Sequence, residues 1–243
     1  ISSARYASQE LYKRLINMAT EYLESKKWLS INEILSLTTD LGTTSDDAKR
    51  ILEDVKARYG HKVIDYSDLI IYPELLSILI DESVKYMENN NVLKISDVHK
   101  IMMHYGLTGG MTEEFDTIAL SIFTKACEKG IKSVSGDKIC YSKTFITRLP
   151  ELMRNAFMDM LKFTPEDIAK KLDIHPKDVE LIIKTKIRDI LVESKVGNVY
   201  YPKHYWEYYA KVLKEYSLKN IHFSVGDIAK KFNILPEDCL LYT

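Results

Sequence analysis

Two segments sixty residues apart carry the same order of apolar and polar positions. Phe163-Thr164-Pro165-Glu166-Asp167-Ile168-Ala169-Lys170-Lys171-Leu172 returns as Phe223-Ser224-Val225-Gly226-Asp227-Ile228-Ala229-Lys230-Lys231-Phe232. The register holds beyond these segments, where Ile174, Pro176 and Asp178 match Ile234, Pro236 and Asp238. A self-match at this period predicts an array of one small unit. Each segment predicts a short helix opened by a capping Ser or Thr, then a polar turn, then a second capped helix.

Weaker copies extend the pattern along the chain. Leu29-Ser30-Ile31-Asn32-Glu33-Ile34 reads as a first copy and Leu93-Lys94-Ile95-Ser96-Asp97-Val98 as a second. A long amphipathic segment precedes each copy. A short aromatic strand follows each of the first three about forty residues later, ending at Ile71-Tyr72-Pro73, Cys140-Tyr141-Ser142 and Tyr200-Tyr201-Pro202. Gly136-Asp137-Lys138 and Gly197-Asn198 carry the chemistry of tight hairpin turns, and Ser67-Asp68 a weaker form of it. Gly109-Gly110 reads as the turn between the second and third helices of the second unit. Each unit is therefore helix, short helix, helix and two-stranded ribbon, with a helix-turn-helix inside it.

This arrangement resembles tandem winged-helix proteins over nearly the full chain. The expected fold is mainly α with short β-hairpins, a tandem array of three complete winged helices and part of a fourth. The expected boundaries are 1–73, 74–142, 143–202 and 203–243. The opening Ile1-Ser2-Ser3-Ala4-Arg5-Tyr6 reads as the tail of an earlier wing. Leu240-Leu241-Tyr242-Thr243 lies just inside a third helix of the fourth unit, so a fragment of a longer protein is expected. A homodimer through the partial fourth unit is compatible with this reading.

Winding each third helix at about 100° per residue separates an inward and an outward stripe. In the first unit Ala48, Ile51, Leu52, Val55 and Tyr59 face inward, opposite Asp46, Arg50, Glu53 and Asp54. In the second, Phe115, Ile118, Ala119, Ile122 and Ala126 face inward, and Glu113, Thr117, Leu120, Thr124 and Glu128 face outward without a cation. The third unit differs. Val179, Ile182, Ile183, Ile187 and Ile190 face inward, while Lys177, Lys184 and Arg188 line the other side with Glu180 opposing them. Lys186 falls toward the inward side and is expected to snorkel. Lys195 stands at the base of the wing, and Lys170 and Lys171 on the preceding helix.

Overall charge does not announce a polyanion partner. The 243 residues carry 34 Lys and Arg against 35 Asp and Glu, a formal charge of −1. An array that neutralises phosphates needs at least one basic face, and only the third unit supplies one. Its third helix is the element that would enter a groove. The aromatic run Tyr200 to Lys211 could stack unpaired bases; at helical spacing Tyr205, Tyr208 and Tyr209 are expected instead to seal the joint to the fourth unit. Cys127, Cys140 and Cys239 are scattered and form no CxxC, the usage of a reducing, intracellular setting, cytoplasmic or nuclear. Cys140 reads as a small buried hydrophobe. No run of apolar residues is long enough to span a bilayer.

No catalytic or metal-binding spacing is present, and no cofactor is expected. His99 and His104 are five apart, off the i, i+4 spacing of a helical metal site. HExxH, GxSxG, P-loop and GxGxxG motifs are absent. Asp97, Asp167 and Asp227 read as helix-capping residues. The expected function is nucleic-acid binding, to DNA or structured RNA, in transcription, replication or translation. Its site is Lys177, Lys184, Arg188, Lys195, Lys170 and Lys171, with protein partners on the first two units. The competing expectation is a protein-interaction scaffold without a nucleic-acid role.

Three groups of tandem winged-helix proteins show what the resemblance implies. The C-terminal arm of the bacterial selenocysteine elongation factor uses this layout to hold an RNA hairpin. Winged-helix subunits of RNA polymerase III use it as an assembly and promoter-opening platform. The scaffold-type ligase of the ubiquitin-fold-modifier pathway holds partners without a catalytic Cys, and the strand ends Tyr72-Pro73 and Tyr201-Pro202 are similar to those of its repeats.

Overall fold

The computed structural model describes residues 2–107, 112–219 and 224–239. Gly109-Gly110, Phe223 and Leu240–Thr243 lie outside the described residues. The chain forms two compact units, one from residues 1–131 with 138–142, the other from 132–137 with 143–243. Both are mainly helical, with small antiparallel sheets.

The first unit runs through the same order of elements twice. The first pass is α1 (Ser2–Lys26), β1 (Trp28–Ser30), α2 (Ile31–Leu37), α3 (Ser45–Tyr59), β2 (Ile64–Asp65) and β3 (Leu69–Ile71). The second is α4 (Pro73–Asn90), β4 (Val92–Lys94), α5 (Ile95–His104), α6 (Glu113–Cys127), β5 (Ile131–Lys132) and β6 (Ile139–Tyr141). Ser2–Tyr6 belong to a helix and not to the end of a hairpin, which corrects the expectation of a wing there. The leading strands β1 and β4 were also not expected. Three residues are too few to establish a period-two pattern, and both strands lie where the capping segment of the next helix begins.

Those short strands explain how two small repeats cohere. The first sheet has the order β1-β3-β2, pairing Trp28 with Ile71, Leu29 with Ile70 and Ser30 with Leu69. Successive side chains point to opposite faces. Leu29 and Ile70 enter one core with Leu23, Ile34, Ile51 and Val55. Trp28, Leu69 and Ile71 enter a second core with Leu79, Leu93, Val98, Ile118 and Ile122. Strands β1 and β3 are thus buried on both faces, and β3 reads as a continuous apolar run because neither of its faces meets water, whereas Asp65 on the edge strand β2 is exposed. In the second pass β4 pairs with β6, Val92 opposite Tyr141 and Leu93 opposite Cys140. The fully buried Cys140 is the small hydrophobe its position predicts. Gly130 leaves no room for a side chain without a shift of its neighbours, since a Cβ there would lie 2.6 Å from the Tyr141 carbonyl oxygen and 2.9 Å from Cys140 Sγ.

The second unit contains α7 (Lys143–Phe157), α8 (Pro165–Leu172), α9 (Pro176–Ile182), β7 (Leu191–Glu193), β8 (Tyr200–Pro202), α10 (Lys203–Lys219) and α11 (Val225–Phe232). Its leading strand is reduced to one bridge, in which Phe163 N–H donates to Tyr200 O at 3.0 Å and Tyr200 N–H to Phe163 O at 2.9 Å. Phe163 stacks between Phe157 and Tyr200, with centroids 4.9 and 5.9 Å away.

Capping follows the repeat. The Thr164 and Ser224 hydroxyls accept the N–H of Asp167 and Asp227, and each Asp carboxylate accepts the N–H of its cap in return. Asp97 likewise accepts the Lys94 N–H at 3.0 Å. Such reciprocal caps satisfy donors that a helix start leaves open.

The third helix of the second unit departs from expectation. Regular α-helix stops at Ile182, a π-helical turn covers Ile183–Ile187, and a 3₁₀ turn covers Arg188–Ile190. A constant 100° winding fails beyond Ile182, because a π turn holds more residues than an α turn. Ile183 and Ile187 remain buried, but Lys186 is exposed, where even winding placed it inward.

The aromatic run is divided. Tyr201, Trp206 and Tyr209 are buried in a small core with Ile234, and Tyr205 is half-buried against it. Tyr208 is 60% exposed, so it does not seal that joint.

Candidate nucleic-acid interface

The exposed stripe of α9 and its π and 3₁₀ extensions reads Lys177, Leu181, Lys184, Thr185 and Arg188. Lys186 and Asp189 are exposed in the same stretch, while Val179, Ile182, Ile183 and Ile187 are buried and anchor the segment. Leu181 is 42% exposed in the middle of the stripe. The Thr185 hydroxyl donates to the Leu181 carbonyl at 2.7 Å and so occupies itself on its own helix. Lys184 Nζ lies 3.7 Å from Glu180, whose side chain is half-buried. An exposed pair of this kind contributes about 0–1 kcal/mol, so phosphate can compete for Lys184.

Lys184 and Arg188 meet in one cleft of about 360 Å³, lined also by Ile183, Leu191, Glu193 and Tyr200. Burial pushes the Tyr200 phenol above its ordinary value. Glu193 and Glu180 add to the effect and Arg188 opposes it. The cleft is therefore lined by a neutral Tyr200 phenol, the cations Lys184 and Arg188, and the carboxylate Glu193.

The remaining expected site residues are placed in different ways. Lys177 stands in the first turn of α9, where its N–H donates to Nδ1 of the capping His175 at 3.2 Å. Lys170 is exposed on the last turn of α8. Lys171 next to it donates from Nζ to the Ala156 carbonyl at 2.8 Å, closing the end of α7. Lys195 is exposed in the turn between β7 and β8, with its N–H donating to Asp238 Oδ1 at 2.8 Å. Leu181, Thr185 and Glu193 are not among the residues expected from the sequence, whereas Tyr200 is expected there only as part of the aromatic run and Lys186 as an inward, snorkelling side chain. The four-residue step from Lys177 marks Leu181. No sequence signal announces the π turn that turns Lys186 outward.

The corresponding faces of the first unit differ in chemistry. On α3, Asp46, Arg50, Glu53 and Asp54 are exposed, and Asp54 accepts the Tyr12 hydroxyl at 3.0 Å. On α6, Glu113, Thr117, Leu120 and Thr124 are exposed, as is Glu128 at its C-cap, with Leu120 41% accessible. Charge divides between the units in the same sense. The first carries 16 Lys and Arg against 20 Asp and Glu, and the second 18 against 15, so the overall −1 consists of −4 and +3.

Among the described residues no group of three or more His, Cys, Asp or Glu side chains could hold a metal ion. Among the same residues no helix is long and apolar enough to cross a membrane. No protein-family model matches the chain, and no curated protein sequence matches it.

Proposed function

We propose that the chain is a tandem winged-helix protein that binds nucleic acid, duplex DNA or structured RNA, through the third helix of its third repeat. The role is binding without catalysis. Lys177, Lys184 and Arg188 contact phosphates or base edges, Lys170 and Lys195 extend the contact, and Lys171 serves the end of α7. The observation that carries the reading is the exposed Lys177–Leu181–Lys184–Thr185–Arg188 stripe on the unit of net positive charge. π turns inside helices recur at functional sites, which adds weight to the same segment.

The decisive experiment is binding of duplex DNA, single-stranded DNA and an RNA hairpin across a salt series. Lys177→Glu, Lys184→Glu and Arg188→Glu together form the control. Loss of three phosphate contacts lowers the salt slope by about 2–3. Absence of binding by the wild-type chain at about 50 mM salt would sink the reading. One observation favours a second role for the first unit: Leu120 stands exposed on α6 between Thr117 and Thr124, on a face with Glu113 and Glu128 at its two ends, which suits a protein partner with an apolar contact and basic groups at its rim.

A further inference from the structure

Two hairpin turns of the second unit are held by one device. Ser133-Val134-Ser135-Gly136 and Ser194-Lys195-Val196-Gly197 each turn back on an opening serine. The serine hydroxyl accepts the N–H two residues ahead, from Ser135 at 3.1 Å and from Val196 at 3.1 Å. The N–H between them goes to a carboxylate: Val134 donates to Asp178 Oδ1 and Lys195 to Asp238 Oδ1, both at 2.8 Å. The second carboxylate oxygen takes a hydroxyl, from Ser133 at 2.6 Å on Asp178 and from Tyr201 at 2.8 Å on Asp238. Asp178 and Asp238 occupy the same place in the repeat and are 6% and 0% exposed.

A buried carboxylate is tolerated where charge-assisted hydrogen bonds fill it. That a carboxylate at the same position takes the turn N–H on one oxygen and a hydroxyl on the other in both copies identifies a built joint, although the hydroxyl is that of Ser133 in one and of Tyr201 in the other. At the later joint the network is longer. Leu235 N–H donates to the Tyr201 hydroxyl at 3.2 Å, and that hydroxyl donates onward to Asp238. Burial pushes the Tyr201 phenol up, the Leu235 N–H opposes this, and Asp238 adds to it, so the phenol remains a donor.

The residue clamped at this joint is Lys195, whose side chain is exposed at the turn. The geometry points to Asp238 as a positioning residue of the nucleic-acid face, fixing the hairpin turn so that Lys195 presents its charge in one place. This inference rests on the nucleic-acid reading above. On it, the segment that carries Asp238 braces the hairpin of the preceding repeat.

The test uses the complete chain as wild type, Asp238→Asn, Lys195→Ala and the double variant. The Asn amide group would face one of the two donors and would remove the charge. Two quantities are read: hydrogen exchange at the Lys195 amide, and affinity for duplex DNA, single-stranded DNA and an RNA hairpin across a salt series. Expected are exchange at Lys195 faster by about tenfold or more in Asp238→Asn, and a few-fold loss of affinity with the salt slope smaller by about 1. The double variant should bind no more weakly than Lys195→Ala alone. Effects that multiply in the double variant, or wild-type affinity in Asp238→Asn, overturn the positioning role. If Asp238→Asn does not fold, Tyr201→Phe removes one of the two donors and carries the same test with a smaller expected change. A wild-type chain that binds none of the polymers overturns the inference together with the reading beneath it. Binding with multiplying effects overturns the inference alone.

Discussion

Helix α6 and the segment Pro176–Ile190 occupy the same place in their repeats and are built on the same inward pattern. Phe115, Ile118, Ala119 and Ile122 anchor one, and Val179, Ile182, Ile183 and Ile187 anchor the other. Outward, one shows Glu113 and Glu128 around Leu120, and the other Lys177, Lys184 and Arg188 around Leu181. One is a continuous α-helix, and the other changes to a π turn halfway. The inward stripe sets the place of each helix in its core and constrains the outward one very little. Repeats can therefore keep a fold while their surfaces diverge in charge.

The largest expected effect comes from reversing this contrast. Charge reversal at Lys177, Lys184 and Arg188 should weaken nucleic-acid binding about a hundredfold or more at low salt, since each contact adds to the salt slope. Changing Glu113 and Glu128 on α6 to Lys should leave stability within about 0.5 kcal/mol, because both are exposed. It should not weaken nucleic-acid binding. Titration of both variants beside wild type checks this, and equal losses would erase the distinction between the faces.

The second effect separates stability from binding. Gly130→Ala places a methyl group against the Tyr141 carbonyl and Cys140 Sγ. Such overpacking costs about 1–3 kcal/mol. The expected result is a lower unfolding midpoint with unchanged affinity for nucleic acid at a temperature where the chain is folded. A loss of affinity without loss of stability would place the contact in the first unit.

Neighbouring lysines sharpen the contrast further. Lys171→Ala removes a donor from the Ala156 carbonyl and should cost about 0.5–1.5 kcal/mol of stability with little change in binding. Lys170→Ala should do the reverse, weakening binding by a few-fold without a shift in unfolding. Denaturant unfolding and a binding isotherm on each variant decide this. Interchanged results would assign the phosphate contact to Lys171.

The helices and their inward stripes were legible because burial imposes a 3.6-residue period, and all of Ala48, Ile51, Leu52 and Val55 follow it. Turn chemistry was legible as well, since Gly136, Gly197 and Asn198 all adopt positive φ. The strands β1 and β4 were not, because three residues carry no period. The π turn was not, because the spacing of Ile183 and Ile187 suits an α turn almost equally. The partition of the candidate site was hidden for a different reason. Lys170 and Lys171 are adjacent and chemically identical, and only the position of the Ala156 carbonyl distinguishes their roles. Asp178 and Asp238 matched in the repeat, but their hairpin partners lie more than forty residues away.

The smallest effect concerns the caps. Asp47 and Asp227 are held below the usual carboxylate value, first by the Thr44 and Ser224 hydroxyls and then by the N–H groups of the same residues. A folded value below the unfolded one means that the contribution is fully present above the unfolded Asp value of about 3.9. It is lost as pH falls through the lowered folded values. Both carboxylates are solvent-exposed, so the effect on global stability is slight, and the direct observable is each carboxyl's own titration. Ser224→Ala should raise the midpoint of Asp227 toward the ordinary value and leave that of Asp47 unchanged, because only the cap of α11 is cut. Carbon-detected NMR titration of the two side chains reads both midpoints in one sample. An Asp227 midpoint that does not move would show that the Ser224 hydroxyl is not what holds it down.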